Sequence, residues 1–104
     1  MAGELLIVSV PKNVNVDDIL FVEGLKDYIK IYTRQKLILT LMSMTSIESK
    51  LPPEEFFRVH RSYIISLGKI ESISRHRVVI TDKFIPISIP YRERFYALID
   101  KSTS

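Results

Sequence analysis

No cysteine occurs among the 104 residues, which excludes disulfide scaffolds, thiolate zinc sites and thiol nucleophiles. Glycine stands only at positions 3, 24 and 68, too few and too scattered to assemble a phosphate-cradling loop. The only histidines are His60 and His76, and neither has an acidic residue at metal-ligand spacing, so no metal or other cofactor is expected. No apolar run approaches the ~18 residues of a bilayer span, and residues 1–6 lack the basic start of a secretory leader. The expectation is a soluble, cytoplasmic domain with no membrane partner. His60 with Ser62 lacks a nucleophile elbow, and the acidic pairs Asp17-Asp18 and Glu54-Glu55 fall where turns and helix starts place acids anyway. No enzyme is expected.

What is present is the composition of one folded domain: 46% hydrophobic residues and a net charge of +3. The charge is unevenly spread. Residues 1–57 carry eight acidic and six basic side chains, whereas residues 58–94 carry eight basic ones against three acidic. Six of the seven arginines lie in that second stretch. A solvated basic surface accounts for this as well as a polyanion-binding face does. Arginine in place of lysine favours the latter, because a planar guanidinium makes paired hydrogen bonds to phosphate or a guanine edge.

Ile and Val together number 23 against 12 for Leu and Ala, and β-branched side chains suit a pleated surface. The fold class expected is mainly β with two short helices, as a single domain. Strands are predicted at residues 5–10, 19–23, 28–33, 63–66, 70–74, 77–81 and 84–87. Residues 37–42 read as a central strand or the entry into a buried helix. In residues 28–33, Ile29 and Ile31 fall on one face and Tyr28, Lys30 and Tyr32 on the other. Met44, Ile47 and Leu51 recur at helical spacing, Thr45 and Glu48 match a capping box, and Pro52-Pro53 ends that helix. Pro90 opens a short C-terminal helix with Tyr91, Phe95, Leu98 and Ile99 on one face.

Four segments carry the candidate functional residues. The first, residues 56–65, sets Arg58, His60, Arg61 and Ser62 between apolar pairs; such a cluster is costly to bury and is expected as an exposed turn. There Arg61 reaches a base edge or phosphate, with His60 and Ser62 orienting it, unless the cluster is merely solvated. The second, Arg75-His76-Arg77, is a basic hairpin tip that solubility alone explains equally well. In the third, Arg92 and Arg94 open the C-terminal helix, where a cation opposes the dipole; an external anion at that end would explain the placement, as would simple exposure. The fourth, Lys26, Asp27 and Tyr28 with Lys30 beyond, joins two strands, with packing the default for the tyrosine.

These residues, together with the runs Asp18-Ile-Leu-Phe-Val-Glu23, Tyr28-Ile-Lys-Ile31, Phe56-Phe-Arg-Val-His-Arg-Ser-Tyr63, Ile85-Pro-Ile87 and Tyr91-Arg92, resemble the LytTR DNA-binding domain family in order and spacing. The resemblance covers residues 5–100, and the domain is taken as residues 1–104. It implies an elongated β fold that serves as the output domain of bacterial two-component response regulators. Its partners would be double-stranded promoter DNA, entered by loops in successive major grooves, and a receiver domain not contained in this chain. The chain would then be a stand-alone domain or an excised piece, and two copies on DNA repeats would raise a weak monomer's affinity. Carried over by position, the DNA contacts are Lys26 to Tyr28, His60-Arg61 and Arg92. Two departures stand out: Ser66 replaces the family's usual Asn, and Asp27 occupies the first contact loop.

The alternative from another class is a β-rich protein-interaction or oligomerisation module that uses strand edges with Tyr28 and Tyr32. Single-stranded RNA binding is disfavoured because no glycine-aromatic run occurs.

Overall fold

The computed structural model describes residues 5–8 and 14–103. Alternation along the strands dictates the layout, because neighbouring apolar residues part to opposite faces of one sheet. That sheet has the order β1-β4-β3-β2-β6-β5. Its strands are β1 (Leu5–Val8), β2 (Ile19–Gly24), β3 (Ile29–Thr33), β4 (Leu37–Thr40), β5 (Phe56–His60) and β6 (Tyr63–Ser66). β1 runs parallel to β4, and every other pairing is antiparallel.

Phe21 parts from Val22, Phe56 from Phe57 and Ile64 from Ile65, each pair feeding two cores. The first core joins Val22, Ile29, Ile31, Ile38 and Ile64 to Ile47 of α1 (Met44–Lys50) and to Leu51. The second joins Phe21, Val59 and Ile65 to a three-stranded sheet and to Phe95 of α2 (Ile89–Thr103). That smaller sheet is β7 (Ser72–Ser74), β8 (Arg77–Ile80) and β9 (Lys83–Pro86), an antiparallel meander. Burial on both sides explains why β2 and β6 read as nearly continuous apolar runs. Each such side chain taken from water stabilises by about 1.5 to 3 kcal/mol. The molecule measures 40 × 26 × 21 Å, elongated as expected.

Several expectations shift. Of the two readings of residues 37–42 the central strand holds, as β4 between β1 and β3, but it ends at Thr40 with α1 a separate element after it. Ser43, not Thr45, caps α1: its Oγ accepts from the Ser46 N–H at 3.0 Å. The helix starts two residues earlier than that box implies; Met44, Ile47 and Leu51 pack in the first core, and the Glu48 carboxylate pairs with Arg58 instead of the helix start. β7 begins only at Ser72, because residues 67–69 close a 3-10 turn that ends at Ile70. α2 is the longest element, at 15 residues, and not short. Phe95 is its fully buried anchor. Residues 9–10 of the first predicted strand lie outside the described residues.

Candidate nucleic-acid interface

The Phe56 to Ile65 segment is a hairpin whose turn is shorter than the exposed turn expected. Arg58, Val59 and His60 belong to β5, only Arg61 and Ser62 turn, and Val59 is fully buried. The expected exposed cluster is therefore smaller than its polar composition suggested, since alternation allows a strand to bury Val59 while its polar neighbours stay near the surface. A register irregularity between Arg58 and His60 loosens the ladder just before the turn.

Side chains then shape that turn. Ser62 N–H donates to His60 Nδ1 at 3.0 Å, which makes Nε2 the proton-bearing nitrogen of the neutral ring. Arg58 donates from Nη2 to the Arg61 carbonyl at 2.6 Å and from Nε to the His60 carbonyl at 3.4 Å. Its Nη1 pairs with Glu48 Oε1 at 3.1 Å. Arg61 is exposed, and its guanidinium has no hydrogen-bond or ion-pair partner among the described residues.

The neighbouring loop docks directly onto this turn. Gly24 N–H donates to the Ser62 carbonyl at 2.7 Å, and Leu25 N–H closes residues 25–28 by donating to the Tyr28 carbonyl at 2.8 Å. A Cβ on Gly24 would stand 2.6 Å from Met44 Cγ, so a larger residue there would force the Met44 side chain to move. Lys26 and Asp27 are exposed at the loop tip. Lys26, Arg58, Arg61 and Ser62 line one open groove of about 430 Å3, with Leu25 and Met44 as its apolar part.

Arg92 reaches the same end of the sheet by another route. Ser88 N–H donates to the Val59 carbonyl at 2.9 Å, one position before His60. Arg92, in the first turn of α2, is half-buried, and its Nε donates to the Ile87 carbonyl at 2.9 Å. That bond offsets the placement of a cation at a helix N-terminus without any external anion, which corrects the reasoning from the dipole alone.

The other candidates are absent from the lining of this groove. Arg75 and His76 form the β7–β8 hairpin tip with φ of 54° and 60°, the left-handed pair that a two-residue turn demands. His76 Nδ1 lies 3.1 Å from Tyr96 Oη. Arg77 stacks 5.1 Å from the Phe84 ring centre, and Arg94 sits 6.0 Å from that of Phe57. Lys30 lies in β3 beside Glu23 and Leu39, with Tyr28 just outside that strand.

Tyr32 is not a free contact, as the interaction-module reading requires. Its ring stacks on Phe21 at 4.2 Å, and its hydroxyl donates to Glu23 Oε1 at 2.9 Å. Tyr63 donates to the other oxygen at 3.2 Å. Burial first, then the Glu23 carboxylate, pushes Tyr32 up to about 12 and raises Tyr63 as well. Ser66, the departure from the usual Asn, is buried at the end of β6 remote from the turn.

Sequence reasoning included Gly24 in the strand-joining segment but missed Met44 and Glu48 as parts of this site. Glu48 and Arg58 are ten residues apart on different elements, and no local periodicity links them.

The sequence pattern of the LytTr DNA-binding domain matches residues 11–100. The chain belongs to the LytTr DNA-binding domain family. Transcriptional regulatory protein YpdB of Escherichia coli (strain K12) is 40% identical over 58 residues, 56% of this chain and 24% of that protein. Sensory transduction protein LytT of Bacillus cereus is 27% identical over 92 residues, 83% of this chain and 37% of that protein. This chain thus spans well under half the length of either relative. A solved LytTr DNA-binding domain from Bacillus cereus superposes with a TM-score of 0.73 at 21% identity, covering 83% of this chain and 84% of that one. The likeness to that structure is one of fold. The LytTr domain is a DNA-binding module of transcriptional regulation, which is not an enzyme class. No described helix is long and apolar enough to cross a membrane.

Proposed function

We propose that this LytTr domain recognises a preferred sequence in duplex promoter DNA, with Arg61 reading a base edge in the major groove. The observation that carries the reading is an exposed, unpaired guanidinium on a turn whose own backbone is held by three side-chain hydrogen bonds. A fixed backbone limits the entropy lost when a long side chain is ordered on DNA. Lys26, in the same groove, supplies a phosphate contact. His60 Nε2 offers a second donor beside Arg61. Arg92 meets the DNA backbone beyond through its Nη atoms, since the Ile87 carbonyl takes only Nε.

The chain acts as the output domain of a bacterial response regulator in the cytoplasm, controlled by a receiver domain, with two copies on repeated sites. Support for this comes from the family and from relatives named as regulatory and sensory-transduction proteins. Selection of bound duplexes from a random pool at two salt concentrations, followed by mobility-shift titration, tests it. A defined consensus bound at least tenfold tighter than random duplex supports the reading. Equal affinity for both removes it.

A further inference from the structure

We infer that the Glu48–Arg58 ion pair is a positioning device for the DNA-reading turn, and that Arg58 serves recognition through the turn's shape without touching DNA. The inference rests on the reading of Arg61 given above.

Arg58 leaves β5 on the same side as Phe56, the side packed against α1, as strand alternation requires. Three of its five N–H donors point into the chain, to the Glu48 carboxylate and to the carbonyls of His60 and Arg61. One planar fork therefore holds two consecutive peptide groups, and a carboxylate from α1 holds the fork. Strand pairing is irregular here, because the register shifts between Arg58 and His60 before His60 pairs with Tyr63. The guanidinium braces the two carbonyls that follow this irregularity.

Glu48 makes sense only in this arrangement. A carboxylate next to a polyanion-binding groove opposes binding by simple electrostatics, and its removal should then help. If it fixes the fork, its removal must hurt. The two accounts differ in sign, which makes the pair decisive. Lysine at position 58 keeps the charge but has no planar fork to span two carbonyls.

The test uses the 104-residue chain and its Glu48→Gln, Arg58→Lys and Arg58→Gln variants. Fluorescence anisotropy is read against the selected duplex and a random duplex over a salt series, alongside thermal melts. Glu48→Gln is expected to bind the selected duplex about threefold more weakly, the scale of a surface ion pair. Arg58→Lys is expected to lose about tenfold, the scale of charge-assisted hydrogen bonds. Random-duplex affinity, salt slope and melting temperature should stay at wild-type values. Tighter binding of both duplexes by Glu48→Gln overturns the inference, as does an Arg58→Gln salt slope lower by about 0.9, the mark of a lost phosphate contact. If Arg58→Lys melts early, Glu48→Gln decides, since that side chain is 47% exposed and outside the core. A wild-type chain with no duplex preference overturns the DNA-recognition reading itself. A wild-type preference that Glu48→Gln leaves intact overturns only the positioning role.

Discussion

The Ser88 N–H donates to the Val59 carbonyl at 2.9 Å, and this bond holds the first turn of α2 against the end of β5, beside the His60-Arg61 turn. Three segments far apart in sequence, residues 25–28, 61–62 and 88–92, thereby gather at one end of the larger sheet. Recognition then divides into side chains that meet DNA and side chains that hold those in place.

Arg61→Ala is expected to weaken binding to the selected duplex by about 1 to 3 kcal/mol while changing random-duplex affinity less, because a base-reading contact carries the preference. Parallel mobility-shift titrations on both duplexes check it. An equal loss on both would assign Arg61 to phosphate.

Lys26→Ala should weaken selected and random duplexes alike and lower the slope of log affinity against log salt by about 0.9, one counterion's share. A salt series by anisotropy measures this directly.

Phe95→Ala is expected to destabilise the fold by about 3 to 5 kcal/mol, since the ring is fully buried between α2 and β5. Urea denaturation should show a lower midpoint at unchanged slope.

Gly24→Ala should destabilise by about 1 to 3 kcal/mol through overpacking against Met44. Part of that loss should disappear when Met44→Ala is made together with it. A double-mutant cycle of denaturation free energies gives the coupling.

Alkaline stability follows from the partial burial of Tyr32 and, next to it, from the Glu23 carboxylate. Tyr32 titrates at about 12 in the folded chain, above its ordinary value near 10. The folded state therefore holds this proton more tightly than the unfolded one. The contribution is fully present below pH ~10 and is lost as pH rises from there towards 12. Tyr32→Phe removes the titrating group, so its denaturation midpoint should fall less steeply than the wild type's across that window.

The periodicity of Ile29 and Ile31 against Tyr28, Lys30 and Tyr32 was legible because a strand's two faces are written in alternate residues. So were the α1 stripe and the Phe95 face of α2. Misreadings came where a local rule met a tertiary demand. Thr45 satisfied the capping pattern, yet the helix begins after Ser43 because Met44 packs on the sheet. His60 was expected in a turn from its polarity, yet β5 carries it beside a fully buried Val59.

By itself the sequence determined the β-rich class, the two helices, the concentration of arginine in residues 58–94 and the motif that marks the family. Only the tertiary structure decided which arginines are free. Arg61 projects unpaired, while Arg58, Arg92 and Arg94 are taken up by Glu48, the Ile87 carbonyl and the Phe57 ring. The reason is physical: periodicity fixes the face on which a side chain lies, but its partner across the fold depends on sheet register and helix docking, which no local window encodes.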